Sequence, residues 1–170
     1  MSEEEVVQID RQRLAGGDPR QIPRIPASAG ALIHDPAGLL LILKPSYKKR
    51  WTIPGGQIEP GESPWEGCRR ETQEERGLTL ESGRLVCVDF RPATANRPGG
   101  VRFLFDCGRF TEANLALIRL QEVEIEEFRF EPLDEAVQLL SGPIGRRVAE
   151  AAGREHCVYL EDGRPVDGVK

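Results

Sequence analysis

Glu71, Glu74 and Glu75 stand at i, i+3 and i+4 in the stretch GESPWEGCRRETQEERGL, residues 61–78. On a helix, positions three and four apart share a face, so this spacing presents three carboxylates side by side. Like charges placed this way destabilise an exposed helix by roughly 0.2–0.5 kcal/mol per pair, so a compensating cation is expected. Hard oxygen ligands clustered on a rigid element suit Mg²⁺ or Mn²⁺, ions that keep several waters and bridge to substrate phosphates. An acidic face bathed in solvent is the other reading, and the carboxylates alone do not separate the two. Their neighbours favour a site. A solvated helix has no need of Gly55, Gly56 and Gly61 ahead of it, nor of an Arg70-Glu71 step inside it.

The helix carrying these groups is marked at both ends. Ser63 is the N-cap, Pro64 opens the first turn, Glu66 completes a capping box and Gly77 closes the helix. Trp65, Cys68 and Thr72 form a less polar face that can pack on a sheet, leaving the carboxylates on the flank near the glycine loop.

Alternation and turn chemistry predict the rest. ASAGALIHD and LLLILKPS flank Asp35–Gly38 as a hairpin, the second run reading as a strand buried on both faces. WTIPGG reads as a short strand ending at Pro54 and followed by a glycine-rich loop. RLVCVDFRPA and VRFLFDCGRF form a second pair of strands across TANRPGG. EIEEFRF is a strand that switches to helical period at Pro132, IGRRVAEAAG extends or follows that helix, and EHCVYLEDGRPV is a short strand with an Asp-Gly turn. Residues 1–23 read as a polar arm or accessory element, 24–155 as the main domain and 156–170 as a terminal strand packed on it.

At this point the chain resembles the Nudix hydrolases. Their signature, G-x5-E-x7-R-E-U-x-E-E-x-G-U with U aliphatic, is met by Gly56, Glu62, Arg70, Glu71, Glu74, Glu75, Gly77 and Leu78. Thr72 departs at the first U position. The resemblance implies an α/β fold, an α/β/α sandwich with a mixed β-sheet, and hydrolysis of a nucleoside diphosphate linked to another moiety. It also implies metal ligands at Glu71, Glu75 and Glu74, catalytic parts for Glu74, Glu75 and Arg70, and structural parts for Gly56, Glu62 and Gly77. Arg70 orients the glutamates, with Glu62 its partner or an outer metal contact. The general base differs among members. Glu124, six residues before Phe130 where the family often has Trp, best matches a distant catalytic glutamate, and Glu122 is the runner-up. Gly55 and Gly56 are expected at the substrate, Gly56 letting the backbone turn tightly. Lys48, Lys49 and Arg50 could grip phosphate or simply solubilise a loop. Tyr47, Phe90 and Phe105 could stack on a base, although strand aromatics are more often core. His34 and His156 are isolated.

With 170 residues and a formal charge of −5, the chain is one domain with no basic block, so duplex nucleic acid is a poor partner. The four cysteines form no C-x-x-C pair, which disfavours a zinc site or disulfide framework and fits a reducing cytoplasm. No apolar run long enough to span a membrane occurs. A homodimer is compatible with everything read here. The signature leaves a nucleoside triphosphate, favoured for a chain this short, alongside ADP-ribose, a nucleotide sugar or a dinucleoside polyphosphate. A non-catalytic nucleotide-sensing module would tolerate loss of the carboxylates, and none is lost.

Overall fold

The computed structural model describes residues 24–47, 49–118 and 125–169. Within these residues eight strands form one mixed sheet: β1 (Ala27–His34), β2 (Leu40–Pro45), β3 (Gly55–Gln57), β4 (Arg84–Arg91), β5 (Gly100–Arg109), β6 (Ile125–Glu131), β7 (Val158–Glu161) and β8 (Arg164–Pro165). Their order is β6-β2-β1-β5-β4-β7-β8, with β3 paired to β1 off this path. β1–β5 and β4–β7 are parallel and the other pairs antiparallel. Among the described residues four helices accompany the sheet: α1 (Pro64–Arg76), α2 (Glu112–Leu115), α3 (Leu133–Leu139) and α4 (Gly142–Ala151).

Two apolar layers explain why the sheet is central. Ala29, Ala31, Ile33, Leu41 and Leu43 project to the α1 side, where Cys68, Leu78 and Phe105 join them. Leu32, Leu40, Ile42 and Leu104 project to the other side, against Ala136, Leu140, Val148 and Ala151 of the α3–α4 region. The period of two along β1 and β2 thus feeds both layers, and the fold is the expected α/β/α sandwich. β2 is buried on both faces, as its unbroken apolar run predicts.

Around the glycines the strand reading needs correction. Trp51 and Thr52 make only isolated bridges, and the residues expected to be loop, Gly55–Gln57, are themselves the strand β3. The absence of side chains is the reason. Gly55 has φ of 133°, and a Cβ there would overlap the Ala29 carbonyl oxygen of β1. The pattern around Pro132 resolves into two helices, because Leu140 leaves the helical region (φ −61°, ψ 156°) before Ser141 caps α4. The single turn of α2 lacks any apolar periodicity and was not predicted. Its capping box between Thr111 and Asn114 holds it.

Candidate active site

Helix α1 starts and stops where its sequence signals stand. Ser63 accepts from the Glu66 backbone N–H while the Glu66 side chain accepts from Ser63, and Gly77 closes the helix at φ 67°. Cys68 and Thr72 are fully buried on the sheet side and Trp65 packs on Phe105 with ring centroids 5.0 Å apart. That seating turns the opposite flank toward β3.

The glutamates meet the glycines there. The Gly55 backbone N–H donates to Glu75 Oε2 at 3.1 Å, and a Cβ on Gly56 would lie 2.5 Å from both carboxylate oxygens of Glu71. Gly56 is therefore needed for the close approach of Glu71, where the sequence suggested a tight turn. The positive φ belongs to Gly55. Arg70 fixes the rest of the cluster. Its Nε and Nη2 grip Glu62 Oε1 and Oε2 at 2.7 and 3.0 Å, Nη1 reaches Glu71 at 3.0 Å and Glu74 at 3.2 Å, and Nη2 also donates to the Gln57 carbonyl at 2.9 Å. Such a bidentate fork is the strong form of the guanidinium–carboxylate contact. The Arg70 hydrogen bond, aided by the Glu59 N–H, holds the Glu62 carboxyl below its ordinary range. The same contact pushes the Arg70 guanidinium up.

Glu71 and Glu75 are hard oxygen donors held at adjacent glycines, which fits a divalent cation in chemistry. Glu74 is the more exposed of the two that share Arg70 Nη1, its side chain 57% exposed against 21% for Glu71. Among the described residues no group of three Asp, Glu, His or Cys side chains is gathered closely enough to hold an ion without rearrangement. Glu122, Glu124 and Lys48 lie outside the described residues.

Beside the glycines opens a cavity of about 360 Å³. Gly55, Gly56 and Arg50 line it, as do Arg91, Arg97, Arg102 and Arg147. Sequence reading did not single out these last four. For Arg91 and Arg102 the signal is the register of β4 on β5, which sets Asp89 opposite Arg102 and Arg91 opposite Gly100 on one face. Asp89 and Arg147 form a buried pair, Asp89 Oδ2 accepting from Nη2 at 2.6 Å and Nε at 2.9 Å. Of the aromatic candidates, Phe105 is core and Tyr47 is exposed. Phe90 is part-buried on β4, His34 is part-buried and His156 exposed.

The NUDIX domain model matches residues 24–152, and the chain belongs to this family. It is similar to human diphosphoinositol polyphosphate phosphohydrolase 3-alpha, 42% identical over 50 residues covering 29% of this chain and 30% of that one. It is also similar to the asymmetrical bis(5'-nucleosyl)-tetraphosphatase of Caenorhabditis elegans, 45% identical over 42 residues, 24% and 30% of the two chains. The matched segments thus span less than a third of these relatives. Among solved structures, a MutT NUDIX hydrolase from Burkholderia pseudomallei superposes with a TM-score of 0.65 at 25% identity, over 76% of this chain and 99% of that one. The family is one of hydrolases of nucleotide-linked phosphoanhydrides that use divalent metals.

Proposed function

We propose that this chain hydrolyses a phosphoanhydride of a nucleoside diphosphate linked to another moiety, by metal-assisted attack of water. The observation that carries the reading is the seating of Glu71 and Glu75 against Gly56 and Gly55 at the mouth of the cavity. Glu71 and Glu75 would hold Mg²⁺ or Mn²⁺, with Glu74 a further or water-mediated contact. When bound, such an ion neutralises phosphate charge, lowers the pKa of water and aligns attacking and leaving oxygens. Arg70 positions Glu62, Glu71 and Glu74 through the contacts above. Gly55 and Gly56 bring backbone close to the phosphates, and Arg50, with Lys48 beside it in sequence, supplies positive charge at the cavity edge.

For the base we propose Glu124, with Glu122 as runner-up. β6 begins at Ile125, opposite Pro45, at the end of the sheet where β1 begins. The substrate we favour is a nucleoside triphosphate, with ADP-ribose and nucleotide sugars as alternatives. Four free thiols suit a reducing, cytoplasmic setting, and among the described residues no helix is long and apolar enough to cross a membrane.

The test is a panel of nucleoside triphosphates, ADP-ribose, nucleotide sugars and dinucleoside polyphosphates, assayed for phosphate or pyrophosphate release with Mg²⁺ and Mn²⁺. Release should occur for at least one class and vanish with a chelator while circular dichroism stays native. Hydrolysis that survives exhaustive chelation, or none across the panel, would sink the reading.

A further inference from the structure

The cavity that starts at Gly55 and Gly56 is lined by five arginines and, among the described residues, by no carboxylate-bearing residue. Arg147 is already neutralised by Asp89. Arg50, Arg91, Arg97 and Arg102 make no ion pair among the described residues, and Arg102 donates only to the Pro26 and Val101 carbonyls. In a chain of net charge −5, four guanidinium groups around one cavity with no ion-pair partner among the described residues are not an average of the surface. They also disfavour one another. Burial first, and then the charge of Arg97, pulls the Arg91 guanidinium below its ordinary value, while burial and Arg147 do the same to Arg102. An anion placed among them relieves both penalties, and a guanidinium fork matches phosphate oxygens in geometry.

The cavity suits a nucleobase poorly. Trp51 in it is 8% exposed and already carries the Arg129 guanidinium 4.8 Å from its ring centroid, and the other aromatic residue of its lining, Phe103, is part-buried against the α1-side core, which leaves little aromatic face for stacking. The cavity also has direction, with the glycines that seat Glu71 and Glu75 at one end, and Arg91 and Arg102 on the strands beyond β1 with Arg97 in the loop that joins them.

We propose that Arg91, Arg97 and Arg102 bind a phosphate of the substrate beyond the two that flank the cleaved bond. The substrate class is then a nucleoside triphosphate, a dinucleoside polyphosphate or another phosphate-rich anhydride, and not a nucleotide sugar or ADP-ribose. This assignment rests on the hydrolase reading, but the arginine site is measurable without turnover.

The experiment titrates inorganic tripolyphosphate into the full chain in EDTA at low salt by calorimetry, and then measures KM across the nucleotide panel with metal. Saturable binding is expected, weakened tenfold or more by Arg97→Ala and by Arg91→Ala, and unchanged within about twofold by Arg154→Ala, an exposed arginine outside the cavity. Arg97 is exposed, so that variant should keep its fold by circular dichroism. In turnover, Arg97→Ala should raise KM about tenfold for the phosphate-rich substrates with little change in kcat. Binding that ignores both cavity-arginine substitutions, or that falls as much in Arg154→Ala, overturns the site. Arginine-dependent binding combined with equal or better kcat/KM for nucleotide sugars makes it a site for a free anion and overturns the substrate class. Arginine-dependent binding with no hydrolysis of any panel member overturns the hydrolase reading and leaves the anion site standing.

Discussion

Arg70 joins three carboxylates and one backbone carbonyl with a single guanidinium, so the acidic cluster that a bare helix would disfavour is ordered before any cation arrives. The partners were readable as types and spacings. The division of labour among them was not, because Glu71 and Glu74 differ only in which way the helix flank faces β3. Thr72 shows a different residue-scale effect. It stands where the family signature has an aliphatic side chain, it is fully buried, and its Oγ1 is the buried side-chain oxygen left without a partner among the described residues. A buried hydroxyl with no hydrogen bond costs about 1–3 kcal/mol, and Val fills nearly the same volume without that cost. Thr72→Val should therefore stabilise the chain by about 1 kcal/mol, seen as a rise of roughly 2–4 °C in a thermal melt. A lower melting temperature would show that the hydroxyl has a partner after all.

At the scale of elements, α1 was legible to the residue because cap, capping box, Pro and C-terminal Gly are all local signals. β3 was not. A glycine pair reads as loop whenever the partner strand is unknown, and only the approach of Gly55 to the Ala29 backbone shows why the pair is a strand. The same limit hid the arginine cavity. Arg91 and Arg102 are 11 positions apart in sequence and share a face only through the β4–β5 register, which includes an irregularity between Leu85 and Cys87. Local chemistry therefore announced the glutamates, while long-range pairing assembled the arginines opposite them.

Over the whole molecule, the sheet divides labour between its two sides. α1 brings the carboxylates to β3 on one side, and the α3–α4 side closes the cavity through Arg147 on Asp89. Asp89 is fully buried and also accepts from the Gly163 N–H at 2.8 Å, so it ties α4 and the β7–β8 turn to β4 at once. Breaking a buried pair from one side strands the remaining charge, and Asp89→Asn should cost about 3–5 kcal/mol in denaturant unfolding. A cost below about 1 kcal/mol would mean that the pair is solvated. The central claim, that α1 and the β3 glycines together make a hydrolytic site, is tested most directly at Glu75, the carboxylate that receives the Gly55 N–H. The measurement is the turnover of Glu75→Gln under saturating Mg²⁺ or Mn²⁺, on the substrate the wild type hydrolyses best. The account predicts a fall on the order of 10²-fold or more with the metal-free melting temperature little changed, because the variant keeps the shape and loses the charge. Near-normal turnover in Glu75→Gln would contradict it.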